Sequence, residues 1–227
     1  LVYCHAGCGW RAVLAALGVP GGWLHGVPEG VTPEAHAAEF CEHLTFPAVE
    51  HAGGHPAAGG YRLEAVHDYR SHLLERWRHP ATGRKELRWF TRDAAGNAIP
   101  GLRGTALHEL QMYRESEARA ALAMGEPVVL VESESSVDAI RSVTATTWAG
   151  SATSVPVQRL QGALGADGAG VVLVPDADDA GITCAAGLLA TFPGMGLLMP
   201  DAGEDARDLY RRVGGPEFER KVKEVLG

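Results

Sequence analysis

Two apolar tetrads, Val128-Val-Leu-Val131 and Val171-Val-Leu-Val174, stand out in the latter half of the chain, and each is followed by an amphipathic stretch. Apolar runs of that length without period-two alternation predict strands buried on both faces. The pattern predicts strands over 127–131, 144–149, 170–174 and 196–199, with helices over 135–143, 155–164 and 179–192 between them. Closing helices are predicted over 205–212 and 217–226. Strands alternating with helices give an α/β fold: a mostly parallel sheet with helices on both faces.

Upstream the pattern is weaker. Short strand-like pieces at 61–63, 73–77 and 87–91 are separated by turn signals at His79-Pro80-Ala81-Thr82-Gly83 and Asp93-Ala-Ala-Gly-Asn97, which predicts a small antiparallel region with hairpins. Apolar spacing of three and four between Glu64 and Arg78 leaves a helix open there. Residues 109–124 read as a helix stopped at Gly125. Trp10, Val13, Leu14 and Leu17 mark a short helix, 32–44 another, and the Gly- and Pro-rich stretch 51–60 a linker. The expected organisation is a partial metal-binding segment with its helix (1–20), a helix and linker (21–60), a small basic α+β accessory subdomain (61–125), and the catalytic α/β domain (126–227).

At 46% hydrophobic and 21% charged, the 227 residues fall in the soluble globular range. No apolar run approaches the roughly 18 residues of a membrane span, so a cytoplasmic protein without membrane association is the expectation. The first residue is Leu1, which suggests a piece of a longer protein. The net charge of -8 is unevenly spread. Residues 61–92 carry eight basic and four acidic side chains, whereas 167–208 carry eight acidic side chains and Arg207 alone in opposition. A polyanion along the first stretch and cations in the second is the division expected of a metal-dependent enzyme acting on nucleic acid. Arg84, Lys85, Arg88 and Arg92 are the candidate substrate contacts, with Trp89 between core packing and stacking on a base.

Both tetrads end in acid. Glu132 follows the first, and Asp176 and Asp178 follow the second. In an open parallel sheet, ligands bind beyond the carboxyl ends of the strands, so neighbouring strands would aim Glu132 and Asp176 into one crevice. Asp205 and Asp208 share one face of a later helix start. Clustered carboxylates repel one another unless a cation lies among them, and hard oxygen donors suit Mg²⁺ or Mn²⁺. Glu132 is the candidate proton shuttle, its pKa raised by like charges. Ser133, Ser135 and Ser136 lack a His partner for covalent catalysis, and no phosphate-loop signature with its lysine is present. Cys4 and Cys8, with His5 in reserve, give half of a zinc site that residues before Leu1 would complete; Cys41 and Cys184 read as small buried apolar residues.

The segments VVLVESESSVDAI, TATTWAG, VVLVPDADDAG and GEDARDLY resemble the successive motifs of the Toprim domain of bacterial primases, topoisomerases and related nucleases. CHAGCGWRAVLAALG is similar to the second half of the zinc-binding segment of plasmid and phage primase-like Toprim proteins, and GLRGTALHELQMYR, before a helix and the Glu132 strand, is also similar to those proteins. The resemblance covers residues 1–18 and about 101–212. It implies a Toprim-like fold, with Glu132 as catalytic acid or base, Asp176 and Asp178 as Mg²⁺ ligands, and Asp205 and Asp208 as the downstream acids. It also implies nucleotidyl transfer on single-stranded DNA from nucleotides, beside a replicative helicase or helicase domain. Nuclease action and a non-catalytic binding module are the alternatives.

Overall fold

The computed structural model describes residues 56–227, of which 60–227 gather into one compact unit. The candidate zinc ligands Cys4 and Cys8, His5, Cys41 and the first two predicted helices lie outside the described residues.

The first sheet is antiparallel. Strands β1 (Arg62–Asp68), β2 (His72–Arg78), β3 (Lys85–Arg92) and β4 (Ala98–Pro100) pair in chain order. Residues 64–78, whose spacing also suits a helix, are strand and turn. The left-handed Arg70 (φ 65°) turns the chain there, and the Arg70 N–H donates to Asp68 Oδ1 at 2.7 Å. The hairpin turns fall at 79–84 and 93–97, the second closed by Asp93 accepting from the backbone N–H groups of Ala95 and Asn97.

The second sheet is parallel. Strands β5 (Val128–Leu130), β6 (Thr144–Thr146), β7 (Val171–Leu173) and β8 (Gly196–Leu197) lie in the order β6-β5-β7-β8. Helices α1 (Glu115–Ala123), α2 (Glu134–Ala139), α3 (Val157–Leu164), α4 (Asp179–Thr191), α5 (Ala206–Val213) and α6 (Gly215–Leu226) surround it. The pleat sorts the tetrads between two cores. Val129, Val131, Val172 and Val174 meet Val137 and Ile140 of the α2 segment, Leu209 of α5 and Phe218 and Val222 of α6. Val128, Leu130, Val171 and Leu173 meet Ala118 and Ala121 of α1, Leu160 of α3, and Leu188 of α4. Both faces are therefore covered, which is why the tetrads are apolar at every position.

Helix α1 begins six residues later than the periodicity predicts. Leu110, Met112 and Tyr113 are buried rather than helical. Tyr113 bridges to Thr147 beside the parallel sheet, its N–H donating to Thr147 O at 2.9 Å, and its carbonyl accepts from Thr146 Oγ1 at 2.7 Å. These contacts satisfy backbone groups that an earlier helix start would have used, and Arg114 at φ 57° redirects the chain into α1. One face of the antiparallel sheet lies on the first core through Leu74, with Trp89 packed beside it.

Candidate active site

The strand order changes direction at β5: β6 lies on one side and β7 on the other. Such a switch opens a crevice at the carboxyl ends of the two central strands. Val128 pairs with Val171 and Leu130 with Leu173, so Glu132 and Asp176 leave neighbouring strands at nearly the same level. The Asp176 N–H donates to Glu132 Oε1 at 3.0 Å. Gly181 in the first turn of α4 leaves room for this contact: a Cβ there would stand 2.1 Å from Asp176 O and 2.7 Å from Glu132 Oε1.

Asp178 and Asp205 are helix caps. Asp178 Oδ1 accepts from the Gly181 N–H at 2.8 Å at the start of α4, and Asp205 Oδ1 accepts from the Asp208 N–H at 2.8 Å at the start of α5. The second oxygen of Asp205 accepts from Arg207 Nη2 at 3.1 Å. Asp208 lies 4.0 Å from Arg207 Nε.

Electrostatics couples these groups. Burial first, then the charges of Asp176 and Asp178, push the Glu132 carboxyl above its ordinary value, against the stabilising Asp176 N–H. Burial first, then Asp205 and Asp178, push Asp176 up, while Lys85 and Arg207 draw it back. Glu132, Asp176, Asp178 and Asp205 thus share one field. Among the described residues, no three His, Cys, Asp or Glu side chains close on a single point as a ready-made cage. Oxygens of Glu132, Asp178 and Asp205 are turned to backbone N–H groups instead.

Of the basic candidates, Lys85 reaches this field. Its ammonium is held below its ordinary value by burial first and then by Arg76 and Arg78. The others are dispersed. Arg84 is exposed in the β2–β3 turn, Arg88 Nε donates to Glu86 Oε1 at 2.9 Å, and Arg92 Nη2 donates to Asp68 Oδ2 at 2.8 Å. Alternation along β3 puts Lys85 and Trp89 on one face and Arg88 and Arg92 on the other. Trp89 therefore does not share a face with its neighbouring arginines; its ring lies 5.1 Å from that of Tyr69.

Arg76, Arg78 and Arg207 entered the charge balance of the sequence but were not among its candidate site residues. Arg78 pairs with Lys85 in the β2–β3 register, so Arg76, Arg78 and Lys85 form a basic row on one side of the antiparallel sheet, in which Arg76 and Arg78 are tied to Glu64. Period-two alternation within β2 was the available signal, obscured by spacing that also suited a helix. Ser133 caps α2, accepting from the Ser136 N–H at 3.3 Å, and its hydroxyl lies 3.1 Å from those of Ser135 and Ser136. Trp77, Trp148 and Cys184 are buried, and burial pushes the Cys184 thiol up to about 11.

No family model matches the chain, and no curated protein matches it. Among solved structures it is similar to an E. coli primase catalytic core, at 21% identity over 78% of this chain and 63% of that one, with a TM-score of 0.44. It is similar to a DNA primase domain from Pseudomonas aeruginosa at 21% identity over 69% and 51%, with a TM-score of 0.45. A DnaG primase catalytic domain bound to single-stranded DNA is similar at 22% identity over 79% and 64%, with a TM-score of 0.45. The chain spans less than two thirds of each of these structures. Likeness at this level leaves function to be read from the side chains of the site.

Proposed function

We propose that the carboxylate edge binds Mg²⁺ or Mn²⁺ and carries nucleotidyl transfer on nucleic acid, in the manner of a primase that extends from nucleotides on a single-stranded DNA template. The observation that carries this reading is the convergence of Glu132 and Asp176 from the central strands beside Asp178 and Asp205, where burial first and then the neighbouring negative charges push the Glu132 and Asp176 carboxyls upward. A divalent cation relieves that repulsion. The donor set fits such an ion: all donors are hard oxygens, and Mg²⁺ is ordinarily held by one or two carboxylates while keeping much of its water, so a closed cage is not required.

Asp176 and Asp178, with Asp205 and Asp208, would hold the ion, which when bound would offset phosphoryl charge and orient an attacking hydroxyl. Glu132, half-buried and raised, suits proton transfer from that hydroxyl. Lys85 and Arg207, whose charges draw the Asp176 carboxyl back down, would offset phosphate oxygens. The resemblance to primase-like rather than topoisomerase members of the Toprim family favours transfer over hydrolysis, and it implies single-stranded DNA, nucleotides and a replicative helicase or helicase domain as partners. Zinc at Cys4 and Cys8 belongs to the same proposal.

The commitment of one oxygen each of Asp178 and Asp205 to a helix cap favours a second reading, a nucleic-acid-binding module without catalysis. Calorimetric titration of Mg²⁺ and Mn²⁺ into the parent and the D176A/D178A double variant tests the metal site: binding to the parent is expected to be lost in the variant, and equal binding removes the assignment. Incubation with labelled single-stranded DNA, nucleotides and metal separates the readings. Lengthened product indicates transfer, shortened product hydrolysis, and tight binding without either indicates the module.

No helix among the described residues is long and apolar enough to cross a membrane.

A further inference from the structure

Beside the carboxylate edge, a cleft of about 310 Å³ opens between β1 and β2 of the antiparallel sheet and helices α2 and α5. Its volume is at the small end for ligand pockets. Arg76, Arg207 and Arg211 line it, with His67, Glu64 and Asp138. The two acids are already engaged. Glu64 accepts from Arg76 Nε and Arg78 Nε, each at 2.6 Å, and Asp138 accepts from Tyr113 and Arg114.

The bases are not matched in the same way. His67 is 1% exposed, and its Nδ1 faces Asp138 Oδ2 at 3.2 Å while its buried Nε2 has no hydrogen-bonding partner. Arg207 donates through Nη2 to Asp205, but its Nε is buried without a hydrogen bond, 4.0 Å from Asp208 Oδ1. Arg211 is exposed and makes no ion pair among the described residues. Buried polar groups left unpaired are costly, so unpaired polar atoms on residues that line one cleft point to an occupant with polar atoms of its own.

We infer that this cleft binds a phosphoryl group, with Arg207 and Arg211 donating to its oxygens and His67 Nε2 closing the inner wall. A phosphoryl oxyanion matches the wall chemically. Guanidinium groups donate to its oxygens, and imidazole donates as imidazolium or accepts from a phosphoryl hydroxyl. Arg76, held by Glu64, adds positive charge at the opposite wall. The phosphoryl group belongs either to a free nucleotide or to the backbone of a strand. The site does not depend on the metal reading, because none of its groups requires a bound cation.

Calorimetric titration of pyrophosphate into the full chain, with EDTA present, is the test. Binding is expected in the parent, about tenfold weaker in Arg211→Ala, and unchanged in Arg220→Ala, whose guanidinium pairs with Glu217 on α6. Arg211 is exposed, so its removal leaves the core intact. In a second measurement, the imidazole nitrogen resonances of His67 should move as pyrophosphate is added. Displacement of pyrophosphate by metal-free ATP assigns the cleft to a free nucleotide, and displacement by a short oligothymidylate assigns it to a strand. Absence of pyrophosphate binding, or equal binding by the parent and Arg211→Ala, overturns the inference. Because EDTA is present throughout, that failure is distinct from failure of the metal site.

Discussion

Gly181 shows how a single position can control the carboxylate edge. It sits in the first turn of α4, where alanine would ordinarily favour the helix by about 1 kcal/mol. The contact with the Asp176 carbonyl reverses that preference, since a Cβ at 2.1 Å forces backbone rather than a flexible side chain to move. Overpacking of this kind costs about 1–3 kcal/mol, so Gly181→Ala is expected to be destabilising on balance. A lowered urea midpoint in EDTA, with weaker Mg²⁺ binding, is the expected result; an unchanged midpoint would show that α4 moves aside freely. Glu132 and Asp176 were legible as candidates from their places after the apolar tetrads. The demand for glycine at 181 was not, because it comes from a carbonyl five residues earlier in the chain folding back on the helix.

At the scale of elements, the acids at helix starts have two roles that ordinary alanine scanning would merge. Asp178 and Asp205 each accept a backbone N–H as caps and each contribute to the charge at the crevice. Serine can cap without carrying charge. Asp178→Ser and Asp205→Ser should therefore keep the thermal midpoint of the metal-free protein, while the alanine variants lose about 1 kcal/mol each. All four should lose Mg²⁺-induced stabilisation. If the serine variants respond to Mg²⁺ as the parent does, these two side chains act as caps alone. The same elements show the reach of periodicity. The apolar tetrads became central strands because full burial on both faces leaves few other conformations for them. The predicted helix over 109–124 lost its first turns because Tyr113 bridges to Thr147, a contact that local spacing does not encode.

Across the whole molecule, Asp138 joins the two sheets. It accepts from Tyr113 Oη at 2.9 Å and Arg114 Nη2 at 3.0 Å, and it faces His67 of β1 at 3.2 Å. Burial works to raise its carboxyl, but the close approach of His67, the hydrogen bond from Tyr113 and the charge of Arg114 outweigh burial and hold it below its ordinary value. A lowered carboxyl stabilises the fold above the unfolded value near pH 4, roughly, and that contribution fades as the pH falls through the folded value. Asp138→Asn should therefore lose about 2 kcal/mol at neutral pH and show a shallower acid limb. Urea unfolding across an acid-to-neutral series checks this, and parallel curves for parent and variant would remove Asp138 as the source. Beside it, Tyr69 donates to Glu134, and burial first, then the Glu134 charge, push its hydroxyl well above the ordinary value. By itself, the sequence determined the alternation of strands and helices in the latter half and the acids that follow its two apolar strands, because burial and chain direction act locally along the chain. Only the tertiary structure decided that Lys85 and Arg207 oppose Asp176, and that His67, Arg207 and Arg211 line one cleft. Those relations depend on strand register and on which faces of distant elements meet, and neither is fixed until the two sheets pack together.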